Sequence, residues 1–174
     1  RVRLLPPRHS TARLRALTRP PRITYHGRVQ QVLISRDPQT TVELGRRLGE
    51  RLPAGAVLSL EGVLGSGKTT LVKGIALALG VEEPVTSPTF TLVSRYRGRR
   101  EGRELELVHV DLYRIRHEGE LEDLGLEEDF GPQAIAVIEW GEKARRLLPP
   151  EAVHLRLQLE ADGARRLLLE GLQL

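Results

Sequence analysis

Residues Glu61-Gly62-Val63-Leu64-Gly65-Ser66-Gly67-Lys68-Thr69-Thr70 constrain this chain more than any other stretch. They fit the pattern G-x-x-x-x-G-K-[ST], with Gly62, Gly67, Lys68 and Thr69 at its required positions. Glycines at 62, 65 and 67 let the backbone take dihedrals closed to other residues and approach a polyphosphate closely. Successive N–H groups of such a loop point inward at anionic oxygens. Lys68 can reach β- and γ-phosphates as a point charge, and the Thr69 hydroxyl can ligate Mg2+. Gly65, Ser66, Gly67 and Thr70 complete the set of candidate nucleotide contacts in the loop.

The flanks support the motif. Ala56-Val57-Leu58-Ser59-Leu60 reads as a short buried strand, and Leu71, Val72, Ile75, Ala76 and Leu79 fall at helical spacing before Gly80. A strand, a glycine-rich loop and a helix form the context this chemistry needs. The helix N-terminus adds partial positive charge to the phosphate site.

A chain of 174 residues fits one domain with a real core. Cysteine is absent, which excludes disulfides, thiol catalysis and zinc–thiolate sites. Methionine is absent even at position 1, so the chain is expected to start after its initiator or to be a fragment. No apolar run reaches about 18 residues, so no membrane span and no membrane partner are expected, and a cytoplasmic location fits. The net charge of +4 is misleading. Residues 1–28 hold eight arginines and no acid; removing those eight from the 27 basic residues leaves 19 against 23 acidic ones. The remainder is mildly acidic, so the high isoelectric point is no evidence for a nucleic-acid-binding core.

Residues 1–28 carry Pro6-Pro7 and Pro20-Pro21 and little apolar periodicity. They read as a basic, disordered extension. The same composition resembles an organelle transit peptide, and a polyanion-binding arm is a third possibility. Residues 29–174 then form the globular domain. Its first strand is expected at Val29 to Ile34, followed by a helix capped by Asp37 with Pro38 in its first turn.

After the phosphate-loop helix, Val85-Thr86-Ser87-Pro88-Thr89-Phe90-Thr91-Leu92 clusters hydroxyls around a proline. Such a segment can be a switch that senses the γ-phosphate or its metal, or an ordinary loop entering a strand at Thr91 to Tyr96. Arg97 to Arg103 reads as a solvated hairpin tip. Leu105 to Val110 reads as a strand with Asp111 at its carboxyl end, where ligands bind in open α/β sheets. His109 shares the side of Asp111 on a regular strand and reads as a packed strand histidine rather than a catalyst. Glu118 to Phe130 suggests short surface helices. Ala134 to Ile138 is a continuous apolar run, as expected of a central parallel strand. It ends in Glu139, a carboxylate that needs a cation or donors nearby, and Trp140. A helix is expected over Glu142 to Leu148. The C-terminal part alternates as a hairpin around Asp162-Gly163 and carries no evident chemistry.

Together, G-V-L-G-S-G-K-T-T, S-P-T-F-T-L, H-V-D-L-Y-R and I-E-W resemble the bacterial ATPase family of tRNA threonylcarbamoyladenosine biosynthesis, known as TsaE or YjeE. The resemblance covers about residues 29–160, and the combination is much more specific than the first motif alone. It implies an α/β, P-loop NTPase-like three-layer domain with a mainly parallel central sheet and a C-terminal β-hairpin. It also implies ATP and Mg2+ as cofactors. Two partner proteins are implied, one of which transfers threonylcarbamoyl to adenosine 37 of tRNAs reading ANN codons. The ATPase supports turnover of that complex, and tRNA is met indirectly through it.

By the same resemblance, Lys68 contacts phosphates, Thr69 and Glu139 hold the metal, and Asp111 is an essential acid. Thr89 belongs to the switch-like loop, Trp140 lies near the nucleotide, and Thr41 lies near the base. Lys68, Asp111 and Glu139 are the candidate catalytic residues. One departure stands out: Val63 occupies the position where the family usually has Asp. The competing readings are a small-molecule kinase and a nucleotide-gated switch without turnover. A conventional GTPase is disfavoured, because a chain without asparagine lacks the N-K-x-D guanine-reading motif.

Overall fold

The computed structural model describes residues 23–25 and 28–174. Among them, eight strands form one sheet in the order β1-β2-β8-β7-β3-β6-β5-β4. The strands are β1 (Ile23–Tyr25), β2 (Arg28–Ser35), β3 (Val57–Glu61), β4 (Val93–Arg100), β5 (Arg103–Asp111), β6 (Ala134–Glu139), β7 (Val153–Leu159) and β8 (Arg165–Glu170). Helices α1 (Pro38–Arg51) and α2 (Lys68–Ala78) are the long ones, and α3 (Glu118–Asp123) is short.

The centre of the sheet is parallel: β3 lies between β6 and β7, and β6 pairs β5. Both flanks are antiparallel, through β4–β5 on one side and β7–β8, β8–β2 and β2–β1 on the other. The sheet is thus mixed, whereas the sequence suggested a mainly parallel one. Short connections explain the β4–β5 and β7–β8 pairs, because a tight turn can only return the chain antiparallel, whereas β2 meets β8 from the far end of the chain. β3 and β6 are buried along their whole length, which is why 134–138 reads as an unbroken apolar run and β3 as an apolar strand interrupted only by Ser59 before Glu61.

Two cores sit on opposite faces of the sheet. Leu44 and Leu48 of α1, Leu52 at its C-terminal cap, and Leu71, Val72 and Ile75 of α2 pack with Leu58, Leu60, Val137 and Leu155 on one face. Val108, Val110, Ala136 and Ile138 meet Leu121, Leu126 and Ala144 on the other. This is the expected three-layer arrangement. α1 begins as its sequence predicts: Asp37 accepts from the Thr40 amide at 2.6 Å, with Pro38 in the first turn.

Several expected boundaries move. The sheet starts before residue 29, because β1 and the start of β2 fall within the segment assigned to the extension. Ile23-Thr24-Tyr25 is a strand-prone triplet inside an otherwise basic stretch. The rest of that segment, 1–22 and 26–27, lies outside the described residues. The arginine-rich tip shrinks to Glu101-Gly102, since Arg97, Arg99 and Arg100 pair with Glu106, Glu104 and Arg103 in the β4–β5 ladder. Both turn residues have positive φ, which suits a tight hairpin turn. The helix expected over Glu142 to Leu148 is only a 3-10 turn, Gly141–Ala144. A side chain on Gly141 would fall 2.1 Å from Ser59 Oγ, so the turn is pressed onto β3 and the chain bends away before a longer helix can form.

Candidate functional site

The carboxyl ends of β3, β5 and β6 meet the N-terminus of α2 at one end of the sheet. Register places Leu60 and Asp111 on either side of Glu139. The loop after β3 bends through positive φ at Gly62, Gly65 and Gly67, and Gly67 caps α2 in the left-handed region. A side chain at Gly62 would fall 2.6 Å from Leu157 O, so the loop also lies tight against β7.

A cavity of about 290 Å³ opens here. Gly65, Gly67, Lys68, Thr69 and Thr70 form its loop side, and Ser87 and Thr89 come from the hydroxyl-rich segment. Asp111, Glu139, Tyr113 and Trp140 complete the wall. Most of the sequence-predicted residues therefore converge. Thr41 and Ser66 do not line the cavity. Thr41 is buried, and its hydroxyl is engaged with Ser35 Oγ at 2.7 Å and Asp37 O at 3.1 Å. Its methyl group borders Gly67 from behind, together with Leu157 and Arg165. The C-terminal hairpin thus touches the phosphate loop, although its sequence shows no chemistry.

Two acidic positions have different partners. Glu139 is 3% exposed, and its Oε1 accepts from Thr69 Oγ1 at 2.7 Å and from His109 Nε2 at 2.9 Å. His109 is fully buried, as a packed strand histidine would be, yet it also fixes the carboxylate. Asp111 Oδ2 accepts from Ser87 Oγ at 2.7 Å and Thr89 Oγ1 at 2.6 Å, and its Oδ1 from the Tyr113 amide at 2.9 Å. The hydroxyl-rich segment is thereby tied across the cavity to the end of β5.

Lys68 is buried, and its ammonium donates to the carbonyls of Gly62 at 2.8 Å and Val63 at 3.1 Å. It also sits 4.1 Å from the centre of the Trp140 ring, within cation–π range. Burial holds its pKa below the ordinary lysine value, while Glu139, Glu142 and Asp111 pull the other way. A buried ammonium that bonds only neutral oxygens fits a site built for an anion. Trp140 reaches this place because it takes a left-handed φ of 61°, turning the chain sharply after β6.

Glu61, at the end of β3, is also buried. Arg156 of β7 donates to it through Nε at 3.0 Å and Nη2 at 2.7 Å, and Arg145 through Nη2 at 3.1 Å. Burial raises the Glu61 pKa, but the two guanidinium groups outweigh it and leave the carboxyl below its usual range. The clamp anchors the residue that precedes Gly62.

The set of hard oxygens from Thr69 and Glu139 is of the kind that holds Mg2+. The glycine loop, Lys68 and the start of α2 form a phosphate cradle. The sequence alone does not single out Ser87, His109 or Tyr113 as site residues. The signal that points to them is their place in the quoted motifs: Ser87 shares the hydroxyl cluster of Thr89, and His109 and Tyr113 each lie two residues from Asp111.

A family model described as threonylcarbamoyl adenosine biosynthesis protein TsaE matches residues 35–167. The chain belongs to the TsaE family. A curated TsaE relative from Treponema pallidum is 42% identical over 134 residues, covering 77% of this chain and 96% of that protein. One from Bacillus subtilis is 38% identical over 131 residues, covering 75% and 79%. Both are called tRNA threonylcarbamoyladenosine biosynthesis protein TsaE. The crystal structure of Bacillus subtilis YdiB superposes with a TM-score of 0.69 at 30% identity, covering 84% of this chain and 88% of that one. The P-loop-like α/β fold of this TsaE family member follows from that likeness and the topology above. Among the described residues, no helix is long and apolar enough to cross a membrane.

Proposed function

We propose that this chain is the Mg2+-dependent ATP-binding and hydrolysing component of the assembly that forms threonylcarbamoyladenosine at position 37 of tRNAs reading ANN codons. It supports turnover of that assembly, and the transfer itself belongs to a partner protein. The observation that carries this reading is the convergence of Lys68, Thr69, Asp111 and Glu139 on one cavity beside a glycine loop and a helix N-terminus. The names of the relatives supply the pathway.

In this reading, Lys68 exchanges its two loop carbonyls for phosphate oxygens, and the amides of Gly65 to Thr70 line the polyphosphate. Thr69 and Glu139 would hold Mg2+, which when bound offsets phosphate charge. His109 keeps the Glu139 carboxylate facing Thr69. Asp111 holds Ser87 and Thr89 over the cavity until a γ-phosphate competes for those hydroxyls, and is then available to orient the attacking water. tRNA is reached through two partner proteins, and the reaction takes place in the cytoplasm. A small-molecule kinase would need a lid rich in arginine over the cavity. Arg97 and Arg99 instead border a separate cleft with Glu82, Glu104 and Glu106.

The test is ATP hydrolysis by the full chain, alone and with the two partner subunits, with Lys68→Ala as control. Slow hydrolysis that changes with partners and disappears in the variant is expected. Hydrolysis indifferent to partners would overturn the reading and redirect the search to a phosphate acceptor.

A further inference from the structure

We propose that Lys143 is a positioning residue for the nucleotide cavity: it locks the turn that follows Asp111 to the turn that follows Glu139. Lys143 lies outside the cavity lining and outside every motif that marks the site. It sits on the 3-10 turn after β6. Its ammonium donates to the carbonyls of Leu112 at 2.9 Å, Tyr113 at 2.7 Å and Ile115 at 2.8 Å. An ammonium has three protons, and here each has its own acceptor. Three carbonyl oxygens converging on one point repel one another unless a cation stands among them, so the turn 112–115 is shaped around this side chain.

That turn carries two parts of the site. The Tyr113 amide donates to Asp111 Oδ1 and so sets the orientation of that carboxylate. The Tyr113 ring lies 5.2 Å from the Trp140 ring, and both line the cavity. The Leu112 amide donates to Glu139 O at 3.1 Å, a backbone link between the same two strand ends. Lys143 Nζ itself stands 5.8 Å from the centre of the Trp140 ring. One side chain therefore couples Asp111, Tyr113 and Trp140. The chain has three lysines, at 68, 73 and 143, against a large excess of arginine. A planar guanidinium could not give three convergent bonds of this geometry.

Trp140 is the sole tryptophan, so its fluorescence reports on this wall alone. The experiment uses the full chain. Lys143→Met keeps the aliphatic stem and removes the donors. Lys143→Gln keeps two donors, and Lys73→Met, at an exposed position of α2, is the control. Acrylamide quenching of Trp140 without nucleotide is expected to rise about twofold in Lys143→Met and by less in Lys143→Gln, with Lys73→Met unchanged. The Kd for ATP is expected to rise about fivefold in Lys143→Met, in line with the loss of charged hydrogen bonds that hold the wall. Quenching equal to the wild type in both Lys143 variants would overturn the inference, as would an equal rise in Lys73→Met. Should Lys143→Met fail to fold, Lys143→Gln decides by the same comparison. The ATP arm rests on the proposed nucleotide reading and the quenching arm does not. A wild-type chain that binds no ATP would defeat that reading while quenching still judges Lys143.

Discussion

Replacing Gly74 by alanine should destabilise the fold, although helix propensity alone says the opposite. Gly74 lies inside α2, where alanine is favoured over glycine by about 1 kcal/mol. However, α2 crosses α1 there in backbone contact. A Cβ on Gly74 would lie 2.0 Å from Val42 O and 2.8 Å from Arg46 N, against an ordinary contact distance that begins at 3.4 Å. Both neighbours are helix backbone, so neither can swing aside, and the helices must separate by more than an ångström. Leu48, Leu71 and Ile75 would then lose packing. Overpacking of this severity belongs at the upper end of the usual penalty, about 3 kcal/mol. The net loss is about 2 kcal/mol, equivalent to a fall in Tm of roughly 4–8 °C for a domain of this size. Gly45→Ala should act likewise, because its Cβ would lie 2.1 Å from Leu71 O and 3.1 Å from Gly74 Cα. Since one separation relieves both clashes, the double variant should lose less than the sum of the single losses. Thermal and urea unfolding of the two single variants and the double variant measure all three. A Tm equal to or above wild type for Gly74→Ala would refute the close crossing of the helices.

Two further outcomes follow from the buried polar groups. The Glu61 carboxyl is held below its usual range, so its clamp on Arg156 and Arg145 contributes stability that is present above the ordinary glutamate pKa of 4.5 and is lost as pH falls through the lower folded value. Glu61→Gln should therefore lower stability at neutral pH and flatten its fall between about pH 5 and pH 3, as read by urea unfolding across that window; an unchanged slope would count against the clamp. His109→Ala removes a fully buried ring and leaves the Glu139 side chain with Thr69 as its remaining hydrogen-bond donor, at a cost of about 3 kcal/mol in urea unfolding. A loss under about 1 kcal/mol would mean that the ring neither packs nor supports the carboxylate as described.

Much of the site was legible because its residues act within a few positions of one another. The P-loop needs glycines, a lysine and a hydroxyl at fixed spacing, and Asp111 and Glu139 each stand at the carboxyl end of a strand-like stretch, where ligands bind. His109 was legible as buried but not as a support for Glu139, because its partner is 30 residues away and the link depends on how β5 pairs with β6. Thr41 shows the converse. The family resemblance places it near the base, whereas in the structure its hydroxyl bonds Ser35 and the Asp37 carbonyl behind the phosphate loop, contacts that the resemblance does not mark.

By itself, the sequence determined the strand–loop–helix unit, the cap of α1, the apolar central strands and the identities of the chemical groups. Those follow from local backbone sterics and from periodicity, which act over a few residues. Only the tertiary structure decided which face each strand presents, that the sheet is mixed, and that β7 and β8 back the phosphate loop. It alone also decided that Lys143 serves the turn beside Asp111. The reason is that these depend on register between distant strands and on close backbone approach at Gly45, Gly74 and Gly141. Such contacts are selected by the packing of the whole core, and no local spacing encodes them.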